Sequence, residues 1–303
     1  MLRPSRLISP RLAVVAAYVA VVTIWGATWA FMKIGVAEVP PFTFALQRAV
    51  GTAVLLTAAS LLLGLRFPST PRTALAAAVA GVFATGVNWA VVFWAIQYVP
   101  SGAAAVLGSS APLWTAVMAH FIVAGDRLSG RKALGLVCGI IGVGMIVLSP
   151  ATLQDPGPLY AWILLAVAPV TWAVAAIISA RYLTEASPMP TTALGAAAGA
   201  VVLMPFAGGE AVLSPLPAPA AGALLYLVLA SGVALTLSLW LYRRLRPTTV
   251  MLTQVLIPLQ AVAIGVLLLG ETLSLYMIGG ALLVILAVVL NAFSGGAEVP
   301  SEP

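Results

Sequence analysis

The chain has 303 residues, of which 62% are hydrophobic and only 7% charged, with 14 Lys and Arg against 8 Asp and Glu. Ordinary soluble domains carry about 25% charged residues, so this composition cannot cover a water-facing surface. The basic balance does not imply nucleic acid, because the basic residues are scattered among apolar runs and form no groove-reading patch; the single cysteine, Cys138, excludes an internal disulfide and a cysteine metal cluster.

A helix needs roughly 20 apolar residues to cross the hydrocarbon layer of a bilayer, and the sequence offers ten such segments. A tail over residues 1–11 carries Arg3, Arg6 and Arg11 and precedes the first, 12–32. That apolar run is too long for a signal peptide and has no convincing cleavage site, so it reads as a span. Spans at 42–65, 73–98, 101–124 and 131–148 follow, and a linker over 150–158 leads to 159–182, 190–206, 219–242, 248–269 and 273–292. A polar tail over 294–303 is expected to be disordered. The expected fold is an all-α membrane protein of ten transmembrane helices, divided into repeats over 12–149 and 159–293.

The division rests on an internal echo. Ser110, Ala111, Pro112 and Leu113 lead to Gly125, Asp126, Arg127, Leu128 and Ser129; about 145 positions later Ile257, Pro258 and Leu259 lead to Gly270, Glu271, Thr272, Leu273 and Ser274. Five spans is an odd number, so the second copy enters the bilayer upside down, which is the inverted repeat on which many secondary transporters are built. Charge agrees. With the amino terminus inside, Arg3, Arg6, Arg11, Arg66, Arg72, Arg127, Arg131, Lys132, Arg181, Arg243, Arg244 and Arg246 all fall at cytoplasmic ends, and only Lys33 and Arg48 do not. Both termini are then cytoplasmic, the linker is external, and the Asp126 and Glu271 turns lie on opposite faces.

The segment Trp25, Gly26, Ala27, Thr28, Trp29, Ala30, Phe31, Met32, Lys33 resembles the first-helix signature of the drug/metabolite transporter superfamily, EamA type. Pro40 followed by Arg48, the prolines at 112 and 258, and the paired Gly-Asp and Gly-Glu turns resemble that family too, over residues 12–292. The resemblance implies ten helices around a central cavity lined mainly by helices 1, 3, 4, 6, 8 and 9. It also implies export of metabolites such as amino acids, aromatic ones included, although the superfamily carries sugars, nucleotide sugars, phosphates and drugs as well.

The residues themselves nominate a cavity lining. Pro112 and Pro258 sit deep in helices 4 and 9 as candidate hinges, each freeing the carbonyl four residues earlier, Gly108 and Gln254. Such a group is tolerated in lipid where it meets protein or water, and Ser109, Ser110, Thr253 and Gln254 surround the breaks; the bland reading is a pair of simple kinks. On helix 3, Thr85, Asn88 and Val92 share one face, and a shift of 146 positions lays Ser231 and Ser238 of helix 8 on Thr85 and Val92. Asn88 must find partners across a helix interface or on a ligand. Among the tryptophans, Trp94 and Trp162 are expected at the outer interface, Trp240 at the inner one and Trp29 on the border. Trp25, Trp89, Trp114 and Trp172 lie deeper, where they stack on an aromatic or apolar ligand or pack the core.

Charge limits the chemistry. Glu38, Asp126, Asp155, Glu185, Glu210 and Glu271 all fall at or beyond span ends, so no carboxylate is placed for proton coupling at mid-span. Lys33 is expected to snorkel outward and Arg48 to pair with carbonyls or Glu38, although either can meet a substrate carboxylate. His120 either packs or titrates near neutral pH. Ser109 and His120 are about 16 Å apart along one helix and cannot form a catalytic dyad; no HExxH motif, buried aspartate pair or Walker loop is present. No enzyme activity, cofactor or metal is expected. Gly135 with Gly139, and Gly195 with Gly199, fit close packing within a monomer or at a homodimer seam. The expected partners are a small-molecule substrate and the bilayer, with no nucleic acid. The expected function is ATP-independent export of small amphipathic metabolites, most of all amino acids, across a bacterial inner membrane. A drug or sugar carrier, or a lipid flippase or channel, is the alternative.

Overall fold

The computed structural model describes residues 10–122, 130–148, 158–207, 215–242 and 253–292. Every regular element among them is helical. In chain order they are α1 (Pro10–Glu38), α2 (Pro41–Leu62), α3 (Pro71–Ala95), α4 in two pieces (Ser101–Gly108 and Ala111–Ile122) and α5 (Gly130–Val147). The second set is α6 in two pieces (Leu159–Val167 and Pro169–Tyr182), α7 (Pro188–Leu203), α8 (Ala218–Tyr242), α9 (Thr253–Leu269) and α10 (Leu275–Ala292). These ten helices form two five-helix repeats, the second inverted relative to the first. Residues 1–9 of the amino-terminal tail, the carboxyl-terminal tail, the Asp126 turn, the 150–158 linker up to residue 157, and Arg243, Arg244 and Arg246 lie outside the described residues, while Arg11 falls in the first turn of α1.

Local chemistry sets the helix ends. Pro41, Pro71 and Pro188 occupy first helical positions, where a missing N–H costs nothing, and Thr70 caps α3 by accepting the Thr73 N–H at 3.2 Å. Gly270 ends α9 at φ 65°, a left-handed conformation that side chains disfavour. The next N–H, of Glu271, donates back to the Gly265 carbonyl at 3.1 Å and so satisfies one of the carbonyls left open at the end of the helix.

Five helices are long and apolar enough by themselves to cross a bilayer, among them Arg11–Glu38 and Pro71–Ala95. Their outer faces carry Leu12, Val15, Val19, Val54 and Leu61 in exposed positions, the arrangement of a lipid-facing surface. The inner faces are narrow. A Cβ on Gly142 of α5 would lie 2.6 Å from the Gly280 carbonyl of α10, and one on Gly199 of α7 would lie 2.6 Å from Thr85 Cβ of α3. Gly195 meets the backbone of Gly81, so Gly195 and Gly199 serve packing within the chain.

The packing maps onto itself when the repeats are exchanged. Helix α5 packs on α10, α4 on α9 and α2 on α7, each a pair of equivalents. The contact of α1 with α8 has its counterpart in α6 with α3, that of α1 with α9 in α6 with α4, and that of α2 with α8 in α7 with α3.

Three spans are irregular, one of them the span for which Pro112 predicts a break. Helix α3 contains a π-helical turn over Val82–Val87, α4 breaks at Ser109 and Ser110, and α6 breaks at Ala168, because Pro169 has no N–H for the preceding turn. Helix α9 differs from its equivalent α4 in running unbroken through Pro258. At one end of the bundle Phe44, Phe93, Ile96, Val99, Leu107 and Trp162 are almost wholly buried and form a dense apolar plug. Trp162 therefore belongs to the core at 3% exposure and not to an interfacial belt.

Candidate functional site

Beneath the plug a cavity of about 570 Å³ lies between the repeats. Helices α1, α2, α3, α4, α6, α7 and α9 line it. Of the residues nominated by sequence, Trp25, Thr85, Asn88, Trp89, Ser109, Trp172 and Thr253 come together on its wall. Ser110 is buried behind the wall with its hydroxyl donating to the Leu107 carbonyl at 2.7 Å, and Trp114 is not part of the lining. Pro112 is the second residue of the second piece of α4, while Pro258 lines a separate apolar pocket of about 100 Å³ with Val262 and Met277. The side chains of Ser231, Ser238 and Gln254 lie outside the described residues.

The polar wall groups are mostly committed to the scaffold. Ser109 donates to the Val106 carbonyl at 2.7 Å, which helps satisfy the backbone at the α4 break. Asn88, just past the π turn of α3, donates from Nδ2 to the Ala168 carbonyl at 2.9 Å and to Thr171 Oγ1 at 3.1 Å. Thr171 Oγ1 itself donates to the Ala168 carbonyl at 2.8 Å. Asn88 thus ties the irregular turn of α3 to the break in α6 while still facing the cavity.

Arg48 is the wall residue that the sequence misplaced. It does not pair with Glu38, which is exposed at the end of α1. Instead it is 3% exposed, its guanidinium carbon sits 4.2 Å from the Trp89 ring centre, and Nη1 donates to Met32 Sδ at 3.3 Å. Trp29 and Thr52 also line the cavity. Thr52 stands four residues after Arg48, one helical turn on, a spacing the sequence displays and whose use only the fold reveals.

At the closed end, Glu271 reaches across the repeats to the start of α4. The N–H groups of Ser101 and Gly102 donate to its Oε1 and Oε2 at 2.6 and 3.1 Å, so the carboxylate occupies the positive, unsatisfied N-terminus of that helix. A Cβ at Gly265 would collide with the same carboxylate, which explains the glycine. Lys33 reaches the same end of the bundle, where its Nζ donates to the Val99 carbonyl at 2.7 Å, within electrostatic reach of Glu271. Nearby, Trp94 stacks on Tyr160 at 5.3 Å. His120, far along α4, meets Phe121 edge-on at 4.9 Å.

Two matches to one family, over residues 12–148 and again over 159–293, coincide with the two halves of this bundle: both are to the EamA-like transporter family. The chain belongs to that family. A relative from Escherichia coli (strain K12), named an uncharacterized inner membrane transporter, YedA, is 30% identical over 254 residues, 83% of this chain and 81% of that one. A Salmonella typhimurium protein named a probable amino-acid metabolite efflux pump is 26% identical over 287 residues, 90% of this chain and 92% of its own. One solved crystal structure, 17% identical, shares the fold with a TM-score of 0.63 across 92% of this chain and 96% of the other.

In this EamA-like transporter the lining departs from the expected helix set. No described residue of α8 lines the cavity, whereas α2 supplies Arg48 and Thr52 and α7 supplies Thr191, Thr192 and Gly195. The small residues on α7 explain its share, since they let the helix approach α3 closely enough to close that wall.

Proposed function

We propose that the protein exports small amphipathic metabolites, amino acids or close relatives, across a bacterial inner membrane by alternating access without ATP. The observation that carries this reading is a cavity between two inverted repeats that mixes indole faces with hydroxyl and amide groups, the pattern of a site for a molecule with a polar and an apolar end. The cavity runs from beneath the apolar plug toward Ala77 of α3, Ser179 of α6 and Thr191 of α7. Those ends adjoin Arg72 and Arg181, cytoplasmic by the positive-inside rule. This arrangement supports loading from the cytoplasm. The name of the Salmonella relative fits the same substrate class.

The test is flux of radiolabelled L-phenylalanine in proteoliposomes. Saturable counterflow above protein-free liposomes is expected, with the initial rate changing less than about twofold when the proton gradient is collapsed, since no carboxylate is found in the described lining to carry a coupled proton. Absence of flux for this and other amino acids would remove the reading. Topology is checked separately: reporter fusions after Lys132 and Arg246 should read cytoplasmic and one after Glu271 external. A cytoplasmic signal at Glu271 would break the assignment of sides.

A further inference from the structure

We infer that the cavity is a site for an organic carboxylate, an apolar or aromatic monocarboxylate with or without an α-amino group, and that Arg48 is the residue that holds its carboxylate. The inference deepens the transport reading of the cavity and rests on it.

A guanidinium offers five N–H donors in a rigid fork suited to the two oxygens of a carboxylate. In Arg48 that capacity is largely unspent. Nη1 goes to a thioether sulfur, a weak acceptor, and Nε is buried without any hydrogen-bond partner. Thr52, on the same face of α2 and on the same cavity wall, buries an Oγ1 that also has no partner. A cation inside a membrane protein ordinarily finds a counter-ion. The Trp89 face stabilises this one only partly, and no carboxylate lies against it among the described residues. One ligand carboxylate would answer all three deficits, taking the fork with both oxygens and accepting from the Thr52 hydroxyl.

The rest of the wall fixes the class further. The described lining holds one cation and no Asp or Glu. A ligand ammonium therefore meets no opposite charge, and a purely cationic amphiphile meets Arg48 as a like charge, which disfavours binding. Trp25, Trp29 and Trp172 present apolar surface for the ligand body. The competing reading of Arg48 as a pure packing residue, clamping α2 to α3 through Trp89, predicts no dependence on the ligand's charge.

The experiment is isothermal titration of the full-length protein in detergent, against protein-free micelles, with 3-phenylpropanoate, its neutral amide, phenethylamine and L-phenylalanine. The acid should bind roughly 10- to 100-fold more tightly than the amide, the value of a charge-assisted pair, and phenethylamine should not compete. Arg48→Gln should bring the acid down to the level of the amide and leave the amide unchanged, and Arg48→Lys should keep part of the preference. If Arg48→Gln does not fold, the acid-to-amide ratio in the wild type and in Arg48→Lys decides. Equal binding of acid and amide, an acid preference that survives in Arg48→Gln, or no binding of the acid overturns the inference. L-phenylalanine flux with indifference to the carboxylate sinks the inference and spares the transport reading; acid binding with no flux of any amino acid does the reverse.

Discussion

Gly81→Leu is expected to remove folded protein from the membrane. The seam between α3 and α7 is a contact of backbone against backbone, and a Cβ at Gly81 would fall onto the Cα and carbonyl of Gly195. Overpacking a core typically costs about 1 to 3 kcal/mol when neighbouring side chains can rotate away. Here no side chain is available to move, so the helices must separate, and Thr85 against Gly199 and Gly86 against Val202 on the same seam separate with them. A cost of at least about 3 kcal/mol follows, a large part of the stability of a typical fold. The readout is monodisperse yield by gel filtration after mild solubilisation. Gly144→Leu on α5 is the control, because a Cβ there meets nothing within 4 Å. Equal yields from the two variants would show that the seam is not packed as described.

The second large effect is expected at the closed end. Glu271→Ala removes the carboxylate that accepts from Ser101 and Gly102 and leaves two N–H groups at the start of α4 without it. Hydrogen bonds to a charged group contribute about 1.5 to 3 kcal/mol each, and the two share one carboxylate, so a loss of about 2 to 4 kcal/mol from the closed arrangement is reasonable. That is roughly 30-fold or more in the balance between closed and open ends. With Cys138 replaced by alanine and Ser101 by cysteine, labelling by a membrane-impermeant maleimide from outside should accelerate at least about tenfold when Glu271 is changed to alanine. Glu271→Gln, which keeps one carbonyl acceptor, should fall between. Unchanged labelling would assign closure to the apolar plug by itself.

Much of this architecture was legible in the sequence because it depends on local rules. Apolar length marks the spans, proline marks the starts of α2, α3 and α7, and the echo of Pro112 and Asp126 in Pro258 and Glu271 marks the repeat. Trp25, Asn88 and Trp89 were found by depth and helical spacing, and they do reach one cavity. What escaped depends on distance through space. Glu271 reads as an ordinary charge at a span end until the fold brings it to Ser101, 170 positions away in the chain. For Arg48 the sequence offers carbonyls or Glu38, its nearest acid along the chain, whereas the fold carries its guanidinium to Trp89 and Met32. The π turn in α3 leaves no mark in composition, whereas Pro169, a proline inside an apolar run as Pro112 is, signals the break in α6.

The proposed role of Arg48 carries an electrical consequence: a buried charge without a counter-ion among the described residues would make transport sensitive to voltage. When the cavity communicates with the cytoplasm, its water carries the cytoplasmic potential up to Arg48, and most of the membrane's electrical drop falls across the plug beyond. A potential negative inside then stabilises the empty, positively charged site in that arrangement, by up to about 2.3 kcal/mol per 100 mV for a full unit charge. A bound monocarboxylate without an amino group would cancel the charge and with it the bias, whereas a zwitterionic amino acid brings its own ammonium and leaves the net charge of the loaded site at about +1. If the protein exports by alternating access as proposed, voltage would drive the empty carrier back toward the cytoplasm; export of a simple monocarboxylate would be electrically silent, and export of a zwitterionic amino acid would move charge against the potential.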